Sequence, residues 1–219
     1  MANPPTTAEE LIEHLRRRAT SDERVLDAIA STPREAFVAA HLRPYAYEDT
    51  ALPTEAGQTI SQPTIVAIMT AALGLQGHER VLDVGTGSGY QAAILAHLCA
   101  EVVTVEVVDS LRRQAEERLQ TLGIDNVEVL PAGDALGAPD RGPYDAILVA
   151  AAAPRIPPSL VAQLEPGGRL VVPVGTREAQ ELVRLTLRAD GTTEEKYLGS
   201  CRFVPLLGPE GFPSEVSET

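Results

Sequence analysis

Long apolar runs are missing from this 219-residue chain. Nothing in it approaches the ~18 consecutive apolar residues that a membrane-spanning helix needs, so no membrane partner is expected. Cysteine is scarce: Cys99 and Cys201 give neither a disulfide framework nor a metal-ligand spacing, and no metal is expected. Residues Met1 to Pro5 carry no positive charge followed by an apolar segment, so a cytoplasmic rather than a secreted protein is expected. Basic side chains are few, 18 against 31 acidic, for a net charge of −13. That balance opposes electrostatic binding to nucleic acid, which needs a basic footprint. The familiar signatures of hydrolytic and phosphoryl-transfer chemistry are also missing. There is no GxSxG elbow, metal-binding histidine pair or Walker loop, and His14, His41, His78 and His97 share no motif.

The length and the 44% hydrophobic content suit one sizeable α/β domain with a full core, expected to be a monomer. Thr7 and Glu10 read as a capping box ahead of a helix with Leu11, Ile12 and Leu15 on one face. A second helix follows Ser21-Asp22 and ends at Pro33. With the mostly irregular stretch 33–57, they form an expected N-terminal helical cap and loop over 8–57. The core, 58–175, alternates strand and helix. Strands are expected at Val81–Val84, Val102–Val105, Val127–Leu130, Asp145–Val149 and Arg169–Val174, and apolar strands in this order mean a parallel sheet covered on both faces. Leu182–Leu187 and about Lys196–Val204 flank Asp190-Gly191, which predicts an antiparallel hairpin within 176–208. The tail, 209–219, is polar and expected to fray.

The rest is organised around VLDVGTGSGY, Val81 to Tyr90. A buried strand runs into a glycine turn and then a helix, a corner where backbone can approach a ligand closely. The spacing is GxGxG, not the GxGxxG of dinucleotide sites. It suits an adenosine ligand without a pyrophosphate and disfavours a nicotinamide dehydrogenase. The motif resembles the first motif of class I S-adenosylmethionine (AdoMet) methyltransferases. Gly85, Thr86, Gly87 and Ser88 would form the ligand loop. Glu106 lies 21 positions after Gly85, at the end of the second strand, where a carboxylate meets two ribose hydroxyls. Asp134 would meet an adenine amino group or belong to a turn. Asp83 would sit near the methionine end of the ligand or support the loop. Ser61, just before Pro63, is either a helix N-cap or a functional hydroxyl.

Several more stretches carry a wider resemblance. PREAFV (33–38), GQTISQP (57–63), YDAI (144–147), EPGGRLVVPVG (165–175) and RFVPL (202–206) resemble the protein-L-isoaspartate (D-aspartate) O-methyltransferase family over about residues 11 to 208. The resemblance implies a doubly wound, mostly parallel, Rossmann-like α/β fold. It implies AdoMet as methyl donor, S-adenosyl-L-homocysteine as product, and isoaspartyl-containing proteins and peptides as partners. Methylation of the isoaspartyl α-carboxyl would begin repair through a succinimide. By position, Ser61 would be the active-site serine, with Thr59 and Ile60 in its loop, and Arg202, Phe203 and Val204 would lie along the peptide. The chain departs from the family pattern at Thr64, Ala135 and Ala150, which bears on acceptor choice. Two rivals are a carboxyl methyltransferase acting on an aspartate of a different peptide and a non-catalytic adenosine-binding module.

Overall fold

The computed structural model describes residues 4–54 and 57–213. Helix α1 (Ala8–Arg18) begins at the expected cap: the Glu10 N–H donates to Thr7 Oγ1 at 3.2 Å. The Glu10 carboxylate reaches back to the Thr6 N–H rather than to Thr7 itself, at 2.8 Å. Asp22 caps α2 (Glu23–Ala30) through the Arg24 N–H. Arg16 and Arg17 of α1 are paired with Glu13 and Glu23 at the surface.

The expected loop 33–57 is more ordered than its sequence suggests. It holds two 3-10 turns, Arg34–Phe37 and Ala40–Tyr45, and a short strand β1 (Leu52–Pro53). Strand β1 pairs antiparallel with β2 (Thr59–Ile60), which brings the 50s loop against the GQTISQP segment. Helix α3 (Pro63–Leu73) starts with proline in its first turn and stops at Gly74, whose φ is 60°.

The main sheet then forms as β3 (Arg80–Val84), α4 (Tyr90–Ala96), β4 (Glu101–Glu106), α5 (Asp109–Thr121), β5 (Val127–Pro131) and β6 (Tyr144–Val149). After these come α6 (Pro158–Val161), β7 (Leu164–Gly175), β8 (Gln180–Leu187) and β9 (Thr193–Cys201). The strand order is β5-β4-β3-β6-β7-β8-β9. Strands β3 to β7 run parallel, while β8 and β9 are antiparallel additions at one edge. Alternate residues face opposite sides. Val81, Val102, Ala146, Leu148 and Val171 pack against α1 to α4, whereas Leu82, Val103, Ile147, Leu170 and Val172 pack against Leu136, Tyr144 and Leu160 on the other face. The sheet is therefore doubly wound, as expected.

Two boundaries differ from the sequence reading. Strand β7 begins at Leu164, with a register shift opposite Tyr144–Ala146, so Pro166-Gly167-Gly168 lies within the strand instead of ahead of it. Strand β9 spans Thr193–Cys201, so Arg202 to Val204 leave the sheet edge instead of ending the hairpin. Of the expected frayed tail, 214–219 lie outside the described residues, while Phe212 bonds back to Leu206 at 2.9 Å. No helix among the described residues is long and apolar enough to cross a membrane.

Candidate active site

The chain winds outward in one direction from β3 through β4 and in the other from β3 through β6, which leaves a crevice at the carboxyl ends of these strands. A cavity of about 280 Å³ occupies it. Val84 to Ser88, Val105 to Val108, Ala150 and Ala151 come from the strand ends, and Gln58 to Ser61 from the segment before α3. Phe203 to Pro209 close the far side.

The glycine turn is fixed from beneath. Gly85 and Gly87 have φ of 98° and 52°, and a Cβ on Gly85 would lie 3.6 Å from the Ala150 Cβ across the crevice. Bare backbone keeps that cradle open. Gly89 serves another purpose: its φ is 87° and an added Cβ would meet the Ala115 Cβ of α5 at 3.3 Å, so the third glycine allows α4 to start close against α5.

Glu106 is 7% exposed and faces the loop. Its two oxygens accept the Gly87 N–H at 2.8 Å and the Val108 N–H at 2.9 Å. Each oxygen keeps acceptor capacity on the cavity side, so the carboxylate both pins the loop and can take hydroxyl donors. Apolar walls from Val107, Val108, Ala132 and Leu136 flank it.

Asp83 is fully buried and does not line the cavity. Its hydrogen bonds run toward the glycine loop. The Thr104 hydroxyl donates to Asp83 Oδ2 at 2.9 Å and lies 2.7 Å from the Thr86 hydroxyl, a relay from strand to loop. Burial, opposed in part by the Thr104 hydrogen bond and aided by the nearby Glu106 charge, pushes the Asp83 carboxyl up to about 7. Asp134 is exposed in the bend after β5; its neighbours Gly133 and Ala135 line the cavity, but Asp134 itself does not.

Ser61 lines the cavity and is not the cap of α3. Gln62 is the N-cap residue and supplies no side-chain cap. That role falls to Asp49, from the loop, whose Oδ1 accepts the Thr64 N–H at 2.9 Å and whose Oδ2 accepts the Thr64 hydroxyl at 2.8 Å. Burial raises the Asp49 carboxyl, but hydrogen bonds from Thr64, Gln62 and His14 outweigh it and hold the group below the usual aspartate value. The Ser61 carbonyl accepts from the Arg34 guanidinium at 2.9 Å, and that guanidinium lies over the Tyr90 ring at 4.9 Å. The Ser61 hydroxyl makes no hydrogen bond to another described residue. It is free to meet a ligand.

Thr59 and Ile60 stand beside Ser61 in the cavity wall, and Phe203 and Val204 line the same cavity; Arg202 is exposed and outside the wall. The Phe203 N–H donates to Gln180 Oε1 at 3.0 Å and the Val204 carbonyl accepts the Ala152 N–H at 2.8 Å. The Phe203 carbonyl and the Val204 N–H remain without partners among the described residues. Asp49, Arg34 and Thr104 were not legible as site residues in the sequence, because each acts through a contact distant along the chain.

Similar proteins share this architecture over nearly its whole length. A protein-L-isoaspartate O-methyltransferase of Methanoculleus marisnigri is 50% identical over 210 residues, 95% of each chain. One from Anaeromyxobacter dehalogenans is 53% identical over 199 residues, 90% of this chain and 95% of its own. Among solved structures, a protein-L-isoaspartate O-methyltransferase superposes with a TM-score of 0.84 at 30% identity, over 94% of this chain and 67% of its own. A Plasmodium falciparum structure, described as a protein-L-isoaspartate O-methyltransferase and bound to S-adenosyl-L-homocysteine, gives 0.74 at 26% identity, over 93% and 98%. The model of the protein-L-isoaspartate(D-aspartate) O-methyltransferase family matches residues 6–211, and this chain belongs to that family.

Proposed function

We propose a division of labour among these side chains for the family's reaction, in which an isoaspartyl α-carboxyl is methylated at the expense of AdoMet. The observation that carries it is one cavity lined both by the glycine cradle with Glu106 and by Ser61, whose hydroxyl has no partner among the described residues. The cradle fits an adenosine ligand: the backbone at Gly85 and Gly87 is open, Glu106 has acceptor capacity for ribose hydroxyls, and the neighbouring walls are apolar.

When bound, AdoMet supplies a methyl group already made electrophilic by its sulfonium charge. Gly85, Thr86, Gly87 and Ser88 would hold it in place, and Glu106 would fix its ribose. Asp83 acts indirectly, through Thr104 and Thr86. Asp134 reaches an adenine only if the bend after β5 turns inward. Ser61 donates its hydroxyl to the acceptor carboxylate and orients one oxygen toward the methyl. So oriented, that oxygen would form the O–C bond as the C–S bond broke, with the electron pair left on sulfur. The acceptor is ionised at neutral pH, so no general base is required, and none of the four histidines lines the cavity. Positioning and exclusion of water carry the catalysis. Thr59 and Ile60 shape the acceptor side. The unpaired Phe203 carbonyl and Val204 N–H suit the peptide backbone, with Arg202 at the outer edge.

In this reading the whole chain works as one catalytic unit, since Arg34 and Asp49 of the N-terminal part hold the Ser61 segment of the core. It acts as a cytoplasmic monomer with no nucleic-acid or membrane partner, consistent with its net charge of −13. Ser61→Ala tests the central assignment. Turnover on an isoaspartyl peptide should fall by about a hundredfold, with the AdoMet dissociation constant within about twofold of wild type. An equal loss of AdoMet affinity would make Ser61 a structural part of the pocket instead.

A further inference from the structure

The Asp49 carboxylate gathers more donors than a helix cap requires. Its Oδ1 takes the Thr64 N–H at 2.9 Å. Its Oδ2 faces the Thr64 hydroxyl at 2.8 Å, the Gln62 side-chain amide at 3.1 Å and His14 Nε2 at 3.0 Å. Gln62 Nε2 also donates to the Asp49 carbonyl at 3.1 Å. One side chain, only 15% exposed, thus ties α1 and the 50s loop to the two positions that flank Pro63, directly after Ser61.

From this convergence we propose that Asp49 is a positioning residue for methyl transfer, setting the height of the Ser61 hydroxyl over the cavity through Gln62 and Thr64. The inference rests on the assignment of Ser61 to the acceptor carboxylate. The geometry leaves the segment few other restraints. Strand β2 ends at Ile60, α3 begins at Pro63, and proline brings no N–H of its own. Between them, Ser61 is held by the Arg34 contact to its carbonyl, and Gln62 by Asp49. Asp49 does not line the cavity and touches neither reacting partner. Its effect is on where Ser61 stands. Thr64 doubles the grip, because both its N–H and its hydroxyl end on the same carboxylate.

Asp49→Asn is the informative change. Asparagine keeps an acceptor for the Thr64 N–H, so the helix start is retained, but its amide NH₂ would face three groups now directed at Oδ2. We expect kcat on an isoaspartyl peptide to fall at least about tenfold, because a small misplacement of a positioning group is costly. AdoMet affinity by calorimetry should stay within about twofold of wild type. Thr64→Val should reproduce part of the loss and Thr64→Ser should restore it. Asp49→Asn combined with Thr64→Val should be no worse than Asp49→Asn alone.

A purely structural cap would behave differently. Lower thermal stability with kcat per folded enzyme unchanged well below the melting temperature would overturn the inference. So would an AdoMet affinity that falls in step with kcat. If wild-type enzyme binds AdoMet but fails to methylate the isoaspartyl peptide, the reading on which the inference rests has failed, and the inference falls with it.

Discussion

At the scale of single residues, three carboxylates near one cavity have different tasks because their surroundings differ. Glu106 is satisfied by two backbone N–H groups and still faces the cavity. In the proposed assignment, replacing it by alanine removes acceptors for two ribose hydroxyls and loosens Gly87. AdoMet affinity should weaken at least about tenfold, since hydrogen bonds to charged groups contribute roughly 1.5–3 kcal/mol each. Unchanged affinity by calorimetry would remove Glu106 from the ribose site. Asp83 and Asp49 shift in opposite directions. For Asp83, raised from 3.8 to about 7, the folded state keeps a proton that the unfolded chain has released. Its contribution is intact below the ordinary aspartate value and is lost as pH rises through about 7. Urea midpoints of wild type should therefore fall relative to Asp83→Asn between about pH 4 and 7 and level off above that, by an equivalent of up to a few kcal/mol. Parallel curves would show that Asp83 titrates normally. Asp49, held below its usual value, contributes stability above that value and loses it as pH falls.

At the scale of elements, what was legible depended on whether the cause was local. Thr7 as a cap, the glycine turn and the first four parallel strands all follow from neighbours in sequence, and they stand close to where local chemistry put them. The side chain that caps α3 does not, because it is Asp49, fifteen residues away, and no short motif announces it. Strand β7 reaches back through Pro166-Gly167-Gly168 because pairing with β6 resumes across a register shift, a tertiary gain that overrides turn-forming residues. Within the site, Ser61, Gly85 and Glu106 could be read from the chain because each sits at an element boundary. Thr104 and Arg34 could not, since a buried strand threonine and a 3-10 arginine look ordinary until the fold brings Asp83 and Ser61 to them. The third glycine of the motif gives an element-scale prediction. Gly89→Ala strains a backbone at φ 87° and presses on Ala115, so it should destabilise the protein by about 1–3 kcal/mol in urea unfolding. A neutral result would mean that α4 and α5 can separate freely.

At the scale of the whole molecule, the doubly wound sheet supplies the crevice, and segments from either end of the chain complete the cavity wall. The N-terminal helices and the 50s loop fix Ser61 from one direction. The chain leaving β9 supplies Phe203 and Val204 from the other. With a net charge of −13 and an assembled site in one chain, the protein should scatter light as a monomer of 23.3 kDa. A concentration-independent mass of twice that value would contradict this.

The most direct measurement is methyl transfer from labelled AdoMet to two peptides that differ at one position, L-aspartyl in one and L-isoaspartyl in the other. Label should enter the isoaspartyl peptide as a base-labile methyl ester and leave the aspartyl peptide unlabelled. Equal labelling of both peptides, or labelling of neither by enzyme that binds AdoMet, would contradict the account.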